Sequence, residues 1–365
     1  MPQNFRLIEG VSVTSTAVRC PGCGATIGVK FDPATATLAC PFCGLSSKLP
    51  APEDGAVAEE LDFNSALQRA NVNWGRLKKL VECSNCGGQT LYDAEQITGT
   101  CPYCGSSSVA PAAENVKIMA PNAVIPFSIT KEKAQQLFVD YLKRSHGVYK
   151  QAYECKLDNL TGVYLPFWTF DAYAVSTFIA VLYGENVPRD TYRKGVWNQY
   201  IDDVIIYASA KFFHPYIQKL KKFDFEKAVP YSPEYLAGIP AERYTVGLND
   251  GWRQTVYQTE PKLRRVIEDN YEHLRISRMT TKYYDVKFRY VLAPMYFATY
   301  TFRKKTYQVA INGQTGQTLF KVPRYLPKLI IIAAIAAYTL CALYFLLMYL
   351  FPDSPIFVIF RFLDH

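Results

Sequence analysis

The chain has 365 residues, of which 49% are hydrophobic, 15% aromatic and 20% charged, with ten cysteines and four histidines. This composition excludes wholesale disorder, collagen-like repeats and coiled coils, and the length points to two or three domains. The formal charge of +8 is unevenly spread. Residues 1–125 hold nine Lys/Arg against eleven Asp/Glu, a net of −2, whereas 303–328 hold six basic residues and no acid.

Residues 1–19 lack a continuous apolar core, so no secretory signal is expected at this end. The first strong feature is Cys20-Pro-Gly-Cys23, followed after sixteen residues by Cys40-Pro-Phe-Cys43. The pattern recurs as Cys83-Ser-Asn-Cys86 and, after fourteen residues, Cys101-Pro-Tyr-Cys104. This internal duplication predicts two ribbons, at 1–50 and 81–112, joined over 51–80 by a Pro/Ala/Glu-rich linker and a short amphipathic helix.

Residues 114–126 read as an extended connector. Thr130 is placed to cap a helix running to about Arg144, with apolar residues at helical spacing. The pattern then turns β-like: strands are expected at Val163–Phe170, Val175–Leu182 and Asp203–Ala208. The stretch from Phe223 to Arg275 reads as mostly helical. Strands return at Tyr283–Leu292, Met295–Phe302 and Tyr307–Ile311. Asn312-Gly313 signals a hairpin with Thr318–Val322 coming back. Leu165-Pro166-Phe167-Trp168 is echoed by Leu292-Ala293-Pro294-Met295-Tyr296, which suggests a repeated β-unit. Residues 113–322 are therefore expected to form one β-rich α+β domain.

Leu329–Phe351 is a run of 23 residues without a charge, long enough to cross a hydrocarbon core of about 30 Å. Arg303, Lys304, Lys305, Lys321, Arg324 and Lys328 precede it, and only Arg361 follows. The positive-inside rule predicts a single-pass anchor, spanning 323–352 with its juxtamembrane segment. It puts the large N-terminal part in the cytoplasm and a short tail, 353–365, outside. The six cations are expected to meet anionic lipid. Ala333, Ala337 and Cys341 share one helical stripe, which offers a route to self-association. The expected architecture is thus a multidomain α+β chain: two tandem zinc ribbons, a β-rich middle and one C-terminal transmembrane helix.

Each cysteine quartet has the spacing of a structural zinc site, in which two tight turns bring four thiolates to one ion. Two Zn²⁺ are expected, held by Cys20, Cys23, Cys40 and Cys43 and by Cys83, Cys86, Cys101 and Cys104. Four thiolates leave no open coordination position, so the expected role is structural. Redox pairs and iron–sulfur clusters are the alternatives, but redox sites do not come as four evenly organised pairs, and the usual cluster spacings differ. Cys155 reads as a packed thiol. None of His146, His214, His273 and His365 sits in a catalytic motif. A Walker loop, a G-x-G-x-x-G and a G-x-S-x-G elbow are all missing. Asp202-Asp203 and Glu268-Asp269 read as solvated surface charge. Phe288-Arg289-Tyr290 and Tyr300–Lys305 interleave aromatic with basic residues, as single-strand binders do, but a strand with a buried aromatic face and a solvated basic face explains them as well.

The four C-x-x-C-G knuckles, the block from Gly162 to Ala172 (GVYLPFWTFDA) and the block from Val309 to Gly316 (VAINGQTG) together resemble the bacterial TFIIB-type tandem zinc-ribbon membrane proteins. These are often labelled primosomal-protein-N′-like or superfamily II helicase-like. The resemblance covers nearly the whole chain. It implies a scaffold or recruiting role at the inner membrane, with partners of the SPFH or envelope-stress type. Helicase activity does not follow, because the nucleotide-binding loop is absent. The leading expectation is a non-enzymatic, tail-anchored adaptor binding a cytoplasmic or membrane protein. The alternatives are a tethered nucleic-acid binder that reads with its ribbons and an unrecognised enzyme in the middle domain.

Overall fold

The computed structural model describes residues 18–26, 28–49, 58–64, 78–93, 100–111, 119–184, 188, 191–209, 223–325 and 328–350. The fold is α+β and mostly sheet, with three α-helices among the described residues. Two compact units are distinguished: 1–138 with 156–321, and 139–155 with 322–365.

In the larger unit, β1 (Lys30–Asp32), β2 (Thr37–Ala39) and β3 (Ser46–Lys48) make a small antiparallel sheet of their own. The strands that follow are β4 (Leu61–Asp62), β5 (Lys78–Cys83), β6 (Gln89–Asp93), β7 (Val109–Pro111) and β8 (Ala123–Val124). They join a second sheet built on two very long strands, β9 (Asp158–Leu182) and, further on, Leu274–Phe302. The expected helix before the second ribbon has strands at its ends, and 65–77 lie outside the described residues, as do 50–57 of the linker and 112–118 of the connector.

Helix α1 (Lys131–Arg144) forms where expected. The Thr130 hydroxyl accepts the Lys133 N–H at 3.2 Å, an N-cap that satisfies one of the free donors of the first turn. Phe138 of this helix is fully buried, 5.1 Å from the Tyr300 ring and 5.0 Å from that of Phe320.

The strands expected at Val163–Phe170 and Val175–Leu182 are one strand, β9, since no proline or glycine interrupts Asp171–Ala174. It pairs antiparallel with β10 (Tyr192–Tyr207). The stretch from Phe223 to Leu248 is not helical as expected. It carries β11 (Val229–Pro230), β12 (Ala241–Glu242) and two short 3₁₀ turns. Pro230, Pro233 and Pro240 each lack a backbone donor, and Gly238 adopts φ +73°, so a regular helix starts only after Gly247. It is α2 (Leu248–Asn270). Gly251 lets this helix approach the sheet closely: a Cβ there would stand 2.9 Å from Trp168 Cδ1.

Pro294 does not end a strand either. β13 (Leu274–Phe302) runs through it, paired with β9 at Leu292–Pro166 and Pro294–Tyr164, so the two similar segments lie side by side. β14 (Lys305–Asn312) and β15 (Thr318–Phe320) complete the sheet. Asn312-Gly313 is not a two-residue turn. Asn312 ends β14, its Oδ1 accepts the N–H groups of Gln314 and Thr315 at 2.9 Å, and the positive φ falls on Gly316. The tight turn is instead Arg303-Lys304, both at positive φ, between β13 and β14.

The main core lies under the middle of β9 and β13, where Val163, Leu165, Phe167, Val291, Met295 and Phe297 are buried together. A second cluster, including Ala174, Phe178, Leu263, Ile267 and Ile276, seals α2 against the outer ends of the same strands.

In the smaller unit, Tyr325 N–H donates to Gly147 O at 2.8 Å, Val148 bridges Arg324, and the Tyr149 and Tyr325 rings lie 5.5 Å apart. It also holds α3 (Lys328–Leu350), within which Ile330–Leu350 is long and apolar enough to cross a membrane and has no buried residue.

Candidate metal centres

The four knuckles share one geometry. In each, the N–H of the glycine after the second cysteine donates to the carbonyl of the first: Gly24 to Cys20, Gly44 to Cys40, Gly87 to Cys83 and Gly105 to Cys101, at 2.8–3.0 Å. Those glycines all lie at φ +71° or +72°, where an L side chain is strained. For Gly24, Gly44 and Gly87 nothing lies within 4 Å of a would-be Cβ, so the demand is conformational rather than steric.

Each quartet gathers its Sγ atoms within 4.8 Å of one another. Closest approaches are 3.5 Å (Cys20–Cys43), 3.6 Å (Cys23–Cys40), 3.8 Å (Cys83–Cys104) and 3.6 Å (Cys86–Cys101). A disulfide would require about 2.05 Å, whereas a tetrahedron with Zn–S of about 2.3 Å has edges of about 3.8 Å. The donor set and its spacing therefore fit a four-thiolate Zn²⁺. Protons are shared unevenly within each quartet: the thiols of Cys23, Cys43, Cys83 and Cys86 are raised, whereas the Cys23 N–H, then that of Gly22, pulls the Cys20 thiol down to about 6. Cys101 is drawn down to about 5, first by its bond from the Cys86 thiol.

The two centres differ in setting. In the first ribbon Cys23 and Cys43 are exposed, and Phe42 at the knuckle tip is 70% exposed with Leu45 beside it. Phe31 ties this ribbon down, its N–H on Ala237 O and its ring 5.6 Å from Tyr235. The second ribbon is built into the main sheet, rather than forming a separate domain at 81–112. β6 pairs with β12 (Leu91 opposite Ala241), and Cys83 and Cys101 are buried. Tyr103, which occupies the position of Phe42, is only 1% exposed; its ring lies over Gly88, where a Cβ would come within 2.6 Å.

Beside this ribbon Glu242 is buried, with the Tyr207 hydroxyl donating to its Oε2 at 2.6 Å. Burial pushes its carboxyl up to about 7. A second inward charge cluster went unseen in the sequence. Asp202-Asp203, expected as solvated charge, forms a bulge in β10 with Asp203 at φ +44°. The buried Asp171 accepts the Asp203 N–H at 2.7 Å, and Arg289 pairs with Asp203 and donates to Thr169. Burial lifts Asp171 to about 7. Phe288, Arg289 and Tyr290 are all buried, so no solvated basic face exists there: the central sheet is covered on both sides. Glu268 is likewise engaged, its Oε1 accepting the Ile276 N–H at 2.8 Å.

Arg303 and Lys304 occupy the β13–β14 turn, Lys305 opens β14 and Lys321 follows β15, all in the larger unit, whereas Arg324 and Lys328 belong to the smaller. His273 sits at positive φ with its ring 5.6 Å from Tyr183, while His214, His365 and the tail lie outside the described residues. Cys155 is half-buried, and Ala333, Ala337 and Cys341 are exposed along α3.

Two tetracysteine centres and one membrane-length helix are compatible with a zinc-binding membrane protein. The chain is similar to the uncharacterized protein YdjG of Bacillus subtilis, 26% identical over 326 residues that cover 84% of this chain and 89% of that protein. No family model and no solved structure matches.

Proposed function

We propose that this protein is a tail-anchored adaptor of the TFIIB-type zinc-ribbon membrane class, without catalytic activity. Its large N-terminal part faces the cytoplasm and recruits a protein partner to the inner membrane, of the SPFH or envelope-stress type. The carrying observation is the contrast between Phe42 and Tyr103. One knuckle presents an exposed aromatic, while its duplicate buries the aromatic at the same position in the core. An exposed ring on a preorganised turn loses little conformational entropy on docking, which is what an interface anchor requires. The orientation rests on the positive-inside bias of Arg303, Lys304, Lys305, Lys321, Arg324 and Lys328, which also suits contact with anionic lipid.

A photo-cross-linking residue at position 42, compared with one at the exposed Ser84 of the second ribbon, tests the reading in intact cells. A recurring protein adduct from position 42 alone is expected. Equal or empty capture at the two positions would remove the basis for an adaptor.

A further inference from the structure

Beyond the core, β10, β9 and β13 continue as a three-stranded strip whose inner face is covered by α2. The register fixes the outer face as five rows. They are Tyr192–Val181–Arg275, Lys194–Ile179–Arg278, Val196–Thr177–Thr280, Asn198–Val175–Lys282 and Tyr200–Tyr173–Tyr284. The bulge between Ile276 and Arg278 re-aims Arg278 onto the Ile179 row.

These rows carry four cations and no acid, and none of Lys194, Arg275, Arg278 and Lys282 forms an ion pair among the described residues. Tyr173 and Tyr284 are each about half exposed, and the Tyr173 and Tyr200 rings lie 4.8 Å apart. Asp202, two residues beyond Tyr200, and Asp285, next to Tyr284, close that end of the positive strip.

We propose that this face binds single-stranded nucleic acid, with bases stacked on Tyr173, Tyr200 and Tyr284 and phosphates held by Lys194, Arg278 and Lys282. Eight steps along the strand at about 3.3 Å each make a strip about 26 Å long, and three strands about 4.8 Å apart make it about 10 Å wide. That is room for about four nucleotides, the lower end of known single-strand sites. Aromatic faces beside cations that form no ion pair among the described residues match a ligand that is both planar and polyanionic. A lipid surface is the weaker fit: the strip's centre carries Thr177, Thr280 and Asn198, which an acyl layer does not reward. The site lies on the middle domain and does not depend on what the ribbons bind.

The test uses the full chain in neutral phosphatidylcholine nanodiscs, with fluorescein-labelled dT12 and rU12 titrated by anisotropy from 50 to 300 mM salt. Tyr173→Ala with Tyr284→Ala is expected to weaken binding about tenfold or more, and Tyr173→Phe with Tyr284→Phe to restore most of it, since the ring survives. Lys194→Gln with Arg278→Gln should flatten the log–log salt slope by about 0.7 per cation removed. Zinc content and melting temperature check that each variant is folded. No binding of either oligonucleotide, or binding that these changes leave untouched, would overturn the proposal. So would phosphatidylglycerol vesicles that bind the same nanodiscs and lose that binding in the tyrosine variants while the oligonucleotides do not.

Discussion

The ring of Tyr103, inside the last cysteine knuckle, meets Phe297 of β13 edge-on with centroids 5.2 Å apart. The second cysteine quartet is thereby welded to the central strand of the fold, so an ion held there would stabilise the same structure as the main core. Tyr103→Ala should cost about 3–5 kcal/mol, as other buried aromatic truncations do. Phe42→Ala, at the same place in the duplicate motif, should stay within about 0.5 kcal/mol. Thermal unfolding of the two zinc-loaded variants side by side checks this, and equal losses would refute the contrast.

Metal content follows from the eight sulfurs. Purified protein should carry two zinc ions per chain by elemental analysis, and Cys40→Ser should reduce this to one. Chelator should strip the first centre faster, because Cys23 and Cys43 are exposed whereas the ligands of the second are buried or half-buried. Simultaneous loss of both ions would contradict the separate settings.

Gly251 carries α2 onto the ring of Trp168, which is fully buried with its Nε1–H on Val246 O at 2.8 Å. Gly251→Ala would gain helix propensity but must push the helix away. The clash should dominate, with a net loss of about 1–3 kcal/mol. An unchanged or raised melting temperature would show that the ring gives way.

Glu242 offers a pH signature. Its folded carboxyl titrates near 7 because of burial, above the unfolded value of about 4.3. The native state then holds the proton longer than the unfolded chain, so stability is lost as pH rises from about 4.3 through about 7 and stays low above. Glu242→Gln keeps a polar group for Tyr207 and does not titrate. Its melting temperature relative to the parent should rise between pH 5.5 and pH 8, and the comparison cancels the titration of the cysteines. A difference that does not move with pH would mean Glu242 stays ionised in the fold.

Arg289 compensates two carboxylates, Asp203 directly and Asp171 close by. Arg289→Met should cost about 1–3 kcal/mol, since it leaves the half-buried Asp203 carboxylate without its cation. Adding Asp203→Asn should recover part of that loss, and urea unfolding of the single and double variants measures the coupling.

The convergent cysteine quartets, the helix at Lys131–Arg144 and the apolar run at the C-terminus were legible in the sequence because each is a local rule: a spacing, a cap, an uninterrupted hydropathy. Strand ends were read less well. Pro294 looks like a break and Asp171–Ala174 like a gap, yet both sit inside paired strands, where neighbouring strands rather than local propensity decide the backbone. Phe42 and Tyr103 stand at one position of a repeated motif, and nothing within either knuckle tells which will be buried. Only the pairing of β6 with β12 and the arrival of Phe297 bury Tyr103. Likewise Tyr173, Tyr200 and Tyr284 lie far apart in the chain, and Lys194 and Arg278 are 84 positions apart by number. Which side chains share a sheet face depends on register, and register is set by the bulges at Ile201/Val204, Ile276/Arg278 and Tyr284/Lys287. The metal chemistry was therefore written in the linear order of residues, because its ligands arrive in tight local turns. The aromatic, basic strip exists only once three strands are aligned, because it draws each row from three separate parts of the chain.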